Sequence, residues 1–353
     1  MISLLVATNS VGYLILLAGE GDRIMALRGT SVRRREDAPL LRGEGTFVAD
    51  IEFDNPAYVH YLTSTMAHAK VLSIETSVAR SMPGVIDIIT NADLDIGPYP
   101  SANPLFDEAM IRPLLADERV RFVGEPIVAI VADSPAMAAD AAELIEVDYD
   151  SLDVLVDAEA ALDSDVLLFE GTVEGNVVCR MEAEGLHPDF DSCEVVTQVR
   201  TINNRLAPAP LETRVAAAEW TADGRLHCFN AGQGPHPVRA VIASILQIEK
   251  DQIRVVSRDV GGSFGAKARP SPEEALLGWI AKRVDRPIVW IPGRSDDMVG
   301  LGHGRGQVQY CRIGGTSTGD IKAYHLHVVQ ESGAYPAGGA GLPANARAML
   351  TVC

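Results

Sequence analysis

The sequence has little positive charge for its size. Its 353 residues contain 30 Lys and Arg against 48 Asp and Glu, which gives a formal net charge of −18. Nucleic acids and anionic membrane surfaces bind to basic protein faces, so this charge balance argues against both partners. A local basic run at residues 33–35 is followed at once by Glu36 and Asp37, and we predict that it is a solvated surface.

Cysteine is scarce and follows no pattern. The five cysteines form no CxxC motif and no Cys/His cluster, and they are Cys179, Cys193, Cys228, Cys311 and Cys353. A zinc or iron–sulfur site within this chain is therefore not expected. An odd, scattered set is typical of the reducing cytoplasm, which is the predicted location. The eight histidines are scattered too. His325 and His327 lie two apart, and we expect surface histidines on a strand there.

Long apolar runs are also rare, and the first nineteen residues, MISLLVATNSVGYLILLAG, are the exception. They lack a basic start, and Asn9, Ser10 and Gly12 interrupt them. A secretory signal or a membrane span is therefore the less favoured interpretation, and no membrane span is expected. Met25 begins a more ordinary start. We treat residues 1–31 as an uncertain leader, whose simplest explanation is a non-native extension.

Residues 32–160 are predicted to form a first α+β domain. The β-branched runs at 84–90 and 126–132 predict buried strands, and residues 146–149 predict another. Between them, residues 134–145 predict a helix in which Ser134 is the N-cap and Pro135 the first helical residue. Its expected apolar face is Met137, Ala138, Ala141, Ala142 and Ile145.

Residues 161–194 are acidic and irregular, and they predict a solvated linker across the surface. A second α+β domain is predicted over 195–353. Strands are expected at 194–202 and within 215–232, the latter as a hairpin turning at 222–225. The chain ends without a closing helix or a polar tail, which predicts a domain that stops before it is complete.

Two helices of this second domain have clear patterns. Residues 234–248 carry an apolar stripe at helical spacing, and its members are Val238, Val241, Ile242, Ile245 and Leu246. Residues 271–284 begin with a capping box formed by Ser271 and Glu274 and place Pro272 at the first helical position. Strands are predicted at 253–257 and 286–292.

The glycine-rich stretch DVGGSFGAK, residues 259–267, lies between a predicted strand and a predicted helix. Glycine lets the backbone adopt positive φ and lets a ligand approach main-chain N–H groups closely. The dinucleotide fingerprint GxGxxG is absent, and Lys267 is followed by neither Ser nor Thr, which excludes a P-loop. A plain strand-to-helix turn and a binding loop both remain open. Gln233, between a strand end and a helix start, is a second candidate because its amide can donate to an oxygen.

Several segments together resemble one known family. The segments at 34–51, 67–90 and 120–152 are similar to its a/b hammerhead domain. Those at 205–212, 232–246, 254–267 and 331–335 are similar to its first molybdopterin-binding domain. The family is that of the molybdenum-cofactor-binding large subunits of xanthine dehydrogenase, aldehyde oxidase and aerobic carbon monoxide dehydrogenase. The resemblance implies an a/b hammerhead domain followed by a molybdopterin-binding α+β domain that the chain end truncates.

The resemblance also implies roles for single residues. The amide of Gln233 is expected to hydrogen-bond an oxygen ligand of the molybdenum, and Gly261, Gly262 and Gly265 to let the loop lie against the cofactor. Phe264 is expected to wall a dry substrate pocket. Ser263 stands where the family more often has glycine, which puts the fit at that position in doubt. Ala268 follows Lys267 where the xanthine branch has a carboxylate, which argues against purine recognition.

In this family a small substrate, such as carbon monoxide, an aldehyde or an N-heterocycle, is oxidised with water as oxygen donor, and electrons pass to iron–sulfur and FAD-containing flavin subunits. The resemblance implies a molybdopterin cytosine dinucleotide cofactor and a dimer of heterotrimers, and the opening segment favours the carbon monoxide dehydrogenase branch. The general base is expected beyond residue 353, so no catalytic residue is assigned, and the chain is expected to be inactive without that part. The alternative is a truncated, inactive scaffold that binds partner subunits.

Four further polar residues are given structural roles. Arg205 and Glu212 match a family-typical RLxPxPxE motif, and we expect them to form a buried or interface ion pair. His236 and Asp259 lie close to the candidate residues in sequence, but neither is assigned a catalytic role.

Overall fold

The computed structural model describes residues 29, 31–171, 175–182, 187–337 and 340. Apart from residues 29 and 31, the predicted leader lies outside these residues, and so does most of the chain end. The chain divides into two compact units, Met1–Gly45 and Thr46–Cys353. Within the first unit, helix α1 spans Asp37–Leu41, and the basic run at 33–35 is exposed as predicted.

The first half of the second unit alternates strands with two short helices. The strands are β1 (Ala57–Thr63), β2 (Ala69–Glu75), β3 (Val85–Ile89), β4 (Arg119–Val120), β5 (Pro126–Ala132) and β6 (Glu146–Ser151). The helices are α2 (Ser77–Arg80) and α3 (Pro135–Ala142). The predicted strands at 84–90, 126–132 and 146–149 are thereby confirmed. All seven residues of β5 are buried, because its two faces pack in different clusters, with Ala129 and Val131 in one and Ile130 and Ala132 in the other.

Helix α3 confirms the predicted cap and corrects the predicted face. The Ser134 hydroxyl accepts a hydrogen bond from the Met137 amide at 3.2 Å. The helix ends at Ala142 rather than at residue 145. Met137, which we expected on the apolar face, is 38% exposed, although the next residue, Ala138, is buried. The Met137 side chain lies against Gly84 instead.

The described residues of the second half of the unit form seven strands and three helices. The strands are β7 (Val195–Asn203), β8 (Ala216–Trp220), β9 (Leu226–Asn230), β10 (Ile253–Val256), β11 (Ile288–Trp290), β12 (Gln307–Gly315) and β13 (Ile321–Gln330). The helices are α4 (Pro235–Leu246), α5 (Pro272–Val284) and α6 (Arg294–Gly300). The predicted hairpin is confirmed, since β8 and β9 pair antiparallel around a turn closed by Thr221 and Arg225. His325 and His327 are both exposed on β13, as expected.

One mixed sheet joins strands from both predicted domains. Its order is β10-β9-β8-β11-β1-β5-β3. Strand β1 pairs in parallel with β11, with Ala57 opposite Ile288 and Val59 opposite Trp290. Two three-stranded sheets flank it, with orders β13-β12-β7 and β4-β2-β6. The two halves of the unit are therefore continuous through main-chain hydrogen bonds, and the domain boundaries given above stay predictions.

Helices α4 and α5 carry the main core. The predicted stripe of α4 is confirmed, because Val238, Val241, Ile242 and Ile245 are all buried. Leu276, Leu277 and Ile280 of α5 pack in the same cluster. Each fully buried side chain of this size contributes about 2 kcal/mol. The glycine-rich segment runs from β10 to α5. Because Ile253 of β10 lies in the same cluster as the α5 side chains, this packing fixes both ends of the segment relative to the sheet.

Part of the predicted acidic linker packs against the protein. Phe169 is only 8% exposed and lies in a cluster with Met110 and Tyr335. The Arg121 guanidinium lies over the Phe169 ring, 4.4 Å from its centroid, and donates to the main-chain oxygen of Leu168 at 2.9 Å. These residues of the 161–194 segment therefore belong to a small core rather than to a solvated connection. Within the described ranges, no helix has the length and apolarity needed to cross a membrane.

Candidate functional site

The candidate site begins where β10 ends and the chain turns towards α5. In the loop at 259–267, Gly262 has φ +102 and Gly265 has φ +92, a backbone region that favours glycine. At Gly261 the reason is space, since a Cβ there would lie 2.5 Å from the Cβ of Glu212. The local geometry thus requires the bare main chain that the sequence contains.

Phe264 is the exposed residue of this loop. Its side chain is 77% exposed and its φ is +53. A left-handed conformation in a residue with a Cβ costs on the order of 1 kcal/mol. A strained residue with an exposed aromatic ring is typical of functional sites, where the surrounding structure holds the strain. Its predicted role as the wall of a substrate pocket stays a prediction.

Gln233 lies between the end of β9 and the start of α4, and it contacts the loop directly. Its side-chain oxygen, Oε1, accepts from the amide of Gly265 at 2.7 Å and from the hydroxyl of Ser263 at 2.5 Å. The main-chain amide of Gln233 donates to the main-chain oxygen of Lys267 at 3.0 Å. The structure therefore brings together the two segments that the sequence placed 30 residues apart. Cofactor binding by them stays a prediction.

Ser263 and Lys267 hold the loop from within. Ser263 is buried, and its hydroxyl accepts from the Lys267 amide at 3.1 Å. The Lys267 side chain is buried too, and its Nζ donates to the main-chain oxygens of Glu212 at 3.0 Å and Thr213 at 3.3 Å. Burial lowers the pKa of Lys267, and the nearby Glu212 carboxylate opposes that effect. Ser263 stands at the position where the family resemblance put the fit in doubt. Its hydroxyl donates one hydrogen bond, to Gln233, and accepts one, from Lys267, within the chain.

The predicted ion pair between Arg205 and Glu212 is wrong. The Glu212 carboxylate instead accepts from the Gly261 amide through Oε2 at 2.6 Å. Arg205 donates to Nδ1 of His303 at 3.1 Å and lies 3.9 Å from Glu331. A carboxylate whose partner is a main-chain amide leaves no charge pattern in the sequence, so the motif located Glu212 without revealing what it binds.

Asp259 begins the loop and His236 lies in the first turn of α4, and within the described part of the chain neither side chain hydrogen-bonds to residues 261–267. The Asp259 carboxylate accepts from the Thr46 amide at 2.8 Å, which ties the loop entrance to the start of the unit. His236 is exposed on an open cavity of about 410 Å³ that Arg239 and Arg254 also line. No residue of the 261–265 loop lines this cavity, so it is not the predicted substrate pocket.

A buried group of charges lies beyond the loop, and sequence reasoning missed it. Arg214 donates to Asp297 at 2.8 Å and to Glu273 at 3.1 Å, and all three side chains are at most 4% exposed. Glu274, the next residue of α5, is also buried, and burial raises its pKa to about 8. The sequence contained one indication of this group, since the charged Arg214 lies just before the apolar run that begins at Val215 and continues into β8.

The start of α5 shows the predicted Ser271 cap. The Ser271 hydroxyl accepts from the Glu274 amide at 3.3 Å. The Glu274 side chain is buried near Arg214, and a hydrogen bond from the Ser271 main chain lowers its pKa against the effect of burial. The first turn of α5 therefore connects the loop, through Ser271, to the Arg214 group.

Comparison with known families and proteins agrees with this geometry. A family model of the molybdopterin cofactor-binding domain matches residues 169–353. A model of the aldehyde oxidase and xanthine dehydrogenase a/b hammerhead domain matches residues 42–153. The chain is 34% identical over 314 residues to the nicotine 6-hydroxylase large subunit of Paenarthrobacter nicotinovorans, covering 87% of this chain and 38% of that protein. It is 30% identical over 345 residues to the carbon monoxide dehydrogenase large chain of Afipia carboxidovorans, covering 90% and 41%.

Solved structures give the same result. Quinoline 2-oxidoreductase from Pseudomonas putida 86 matches with a TM-score of 0.81 at 35% identity, over 87% of this chain and 40% of that one. Carbon monoxide dehydrogenase from Oligotropha carboxidovorans matches with a TM-score of 0.76 at 29% identity, over 85% and 39%. The chain spans about two fifths of the length of the curated relatives that it matches.

Proposed function

This chain belongs to the molybdopterin cofactor-binding family of xanthine dehydrogenase and aldehyde oxidase large subunits, and from that premise we propose that it forms the cofactor-binding part of an oxidoreductase. The enzyme oxidises a small substrate with water as oxygen donor and passes electrons to an iron–sulfur subunit and a flavin subunit. We further propose a cofactor of the cytosine dinucleotide type, assembly as a dimer of heterotrimers, and a cytoplasmic location. The odd, unpatterned set of five cysteines supports that location.

One observation carries this proposal: the side chain of Gln233 and the loop at 261–265 form a single hydrogen-bonded unit. The proposal requires both to reach one ligand. Their direct contact, at 2.7 Å between Oε1 of Gln233 and the Gly265 amide, supports that requirement. Phe264, with positive φ and an exposed ring at the centre of the loop, is a further residue of the kind found at binding sites.

The residues present fit an acceptor-rich, anionic cofactor. Within the described residues, the main-chain amides of Gly262, Ser263 and Phe264 donate no hydrogen bond, and Nε2 of Gln233 has no acceptor. Successive free N–H groups in a glycine-rich turn suit anionic oxygens. The same residues include no group of three or more His, Cys, Asp and Glu that could hold a metal ion. These free donors would therefore hold the cofactor through its oxygen atoms and its organic part.

Each residue then has a defined task. The bound cofactor supplies Lewis-acid and redox chemistry. Gln233 donates from its NH₂ group to an oxygen at the site, and the free amides of the loop donate to further acceptors. Phe264 offers an apolar face against the substrate and excludes water, which strengthens these polar contacts. Lys267, held by two main-chain oxygens, keeps the loop against the Glu212 segment. The general base expected beyond residue 353 stays a prediction.

The relatives indicate which substrate class to test first. The relatives named for nicotine and quinoline match at 34% and 35% identity, and those named for carbon monoxide at 30% and 29%. We therefore propose an N-heterocycle as the first substrate to test, ahead of carbon monoxide and aldehydes. The carbon monoxide branch favoured by the opening segment remains the second candidate.

The test uses the whole complex, purified with its partner subunits, and water labelled with ¹⁸O. The proposal predicts that product oxygen carries the label from water. Gln233→Ala should lower turnover about ten-fold or more, because a hydrogen bond to a charged acceptor is lost. Gln252→Ala removes an exposed glutamine whose Oε1 accepts only from the Glu249 amide at 3.1 Å, and it should leave turnover unchanged. Equal turnover in both variants, or label from O₂ alone, would contradict the proposal.

A further inference from the structure

The orientation of the Gln233 amide is set by its neighbours. Side-chain amides carry an acceptor oxygen and a donor nitrogen that are easily interchanged. Here the ambiguity is removed, because the Gly265 main-chain N–H can only donate and lies 2.7 Å from the Gln233 side chain. The atom that faces it must be the oxygen, so the NH₂ group is left to donate elsewhere.

Ser263 adds a second donor to the same oxygen. Its hydroxyl accepts from the Lys267 amide at 3.1 Å, so its one proton is free for Gln233, whose Oε1 lies 2.5 Å away. Ser263 is 7% exposed, which keeps water from competing for that proton. The Lys267 amide therefore donates to the Ser263 hydroxyl, which donates to Oε1 of Gln233. The Gly265 amide donates to the same oxygen.

We propose that Ser263 is a positioning residue that locks the Gln233 amide in one orientation, with the oxygen held by the loop and the NH₂ group presented as a donor. The inference rests on the proposed function, because the presented NH₂ is meant for an acceptor oxygen of the bound cofactor. A glycine at position 263 would leave Gln233 held by Gly265 alone. Terminal amide torsions have broad minima, so one contact fixes them poorly.

Two physical effects follow from this lock. The ordering of Gln233 is completed before any ligand binds, so binding does not have to supply that entropy. Two donors at the amide oxygen also polarise the group and make its NH₂ a stronger donor. The site would thereby select a ligand atom that only accepts hydrogen bonds, and would disfavour one that donates.

A Ser263 hydroxyl that only stiffened the loop can be distinguished by experiment from one that fixes the orientation of the Gln233 amide. Ser257 provides the matched control, because its hydroxyl donates to the side-chain oxygen of Asn230 at 2.8 Å and makes no contact with Gln233. Ser263→Ala removes the lock, Ser263→Thr keeps the hydroxyl, and Ser257→Ala removes an equivalent bond beside it. Ser263→Cys, with a weak S–H donor, replaces Ser263→Ala if the alanine variant does not fold.

The first measurement is the ¹⁵N order parameter of the Gln233 NH₂ group in glutamine-labelled, cofactor-free protein, assigned by its loss in Gln233→Ala. We expect a rigid group in the native protein and in Ser263→Thr and Ser257→Ala. In Ser263→Ala or Ser263→Cys the order parameter should fall below about 0.6. An unchanged value in those two variants, or an equal fall in Ser257→Ala, would overturn the proposal.

The second measurement uses the loaded complex and separates this proposal from the proposed function. Ser263→Ala should keep its molybdenum content and its KM, while kcat falls about five-fold, as expected for one neutral hydrogen bond. Ser263→Thr should restore kcat. Protein that never binds molybdenum but shows the order-parameter change would refute the proposed function and leave the lock standing. Loaded, active protein in which Ser263→Ala does not change the order parameter would refute the role of Ser263 and leave the proposed function standing.

Discussion

At the scale of single residues, the loop is held by contacts to main-chain atoms. The Glu212 carboxylate accepts from the Gly261 amide at 2.6 Å, and Lys267 Nζ donates to the Glu212 main-chain oxygen at 3.0 Å. The second carboxylate oxygen of Glu212 is buried without a partner among the described residues. Glu212 and Lys267 therefore connect the segment before β8 to the loop after β10, and the lack of a side chain at Gly261 lets them approach.

Gly261→Ala should destabilise the protein by about 1–3 kcal/mol, because the new Cβ would lie 2.5 Å from the Glu212 Cβ and one of the two segments must move. Urea unfolding followed by tryptophan fluorescence would measure the change. Gly302→Ala is the control, since a Cβ there meets no atom within 4 Å. A Gly261→Ala variant as stable as Gly302→Ala would show that the close approach does not matter.

At the scale of elements, the helices were the most predictable part of the fold. The stripe of α4 and the Ser271 cap of α5 are local patterns, and the structure reproduces both. The pairing of β1 with β11 was not predictable, because parallel strands so far apart in sequence share no local pattern. The candidate site was likewise predictable only where local motifs mark its residues. Motifs located Gln233 and the loop, but the hydrogen bonds between them depend on side-chain directions that only the folded packing sets.

The first turn of α5 carries a charge that should make stability depend on pH. Burial raises the pKa of Glu274 to about 8 from its ordinary value of 4.5, and Arg214 and Lys267 oppose that effect while Glu273 adds to it. The folded protein therefore binds more protons than the unfolded chain between these two pKa values. Stability from this group is full below the unfolded pKa and is lost as the pH rises towards the folded pKa.

Glu274→Gln should remove this dependence, because the amide is neutral at every pH. Between about pH 5 and pH 8 the native protein should lose stability relative to the variant by on the order of 1 kcal/mol per pH unit. Urea unfolding across that range gives the comparison, with Glu249→Gln as an exposed control. Parallel stability curves for native protein and Glu274→Gln would mean that Glu274 is ionised in the folded state at neutral pH.

At the scale of the whole molecule, segments that are distant in sequence contact each other. Glu125, in the family-like segment at 120–152, accepts from the Tyr335 hydroxyl at 2.6 Å and from the Arg121 amide at 2.6 Å. Burial raises the pKa of Glu125. Two motifs that suggested the family, one near residue 125 and one ending at Tyr335, thus meet in a buried contact. With the shared sheet, this contact makes the hammerhead match and the molybdopterin-binding match parts of one unit.

The central claim is that Gln233 and the loop at 261–265 lie against the molybdenum of a bound cofactor. The most direct measurement is an anomalous difference map, collected at the molybdenum absorption edge from crystals of the loaded complex. We predict a single strong peak per chain, beside the NH₂ group of Gln233 and the exposed face of the loop. A peak elsewhere in the chain, or loaded crystals with no molybdenum near residues 233 and 261–265, would contradict the account.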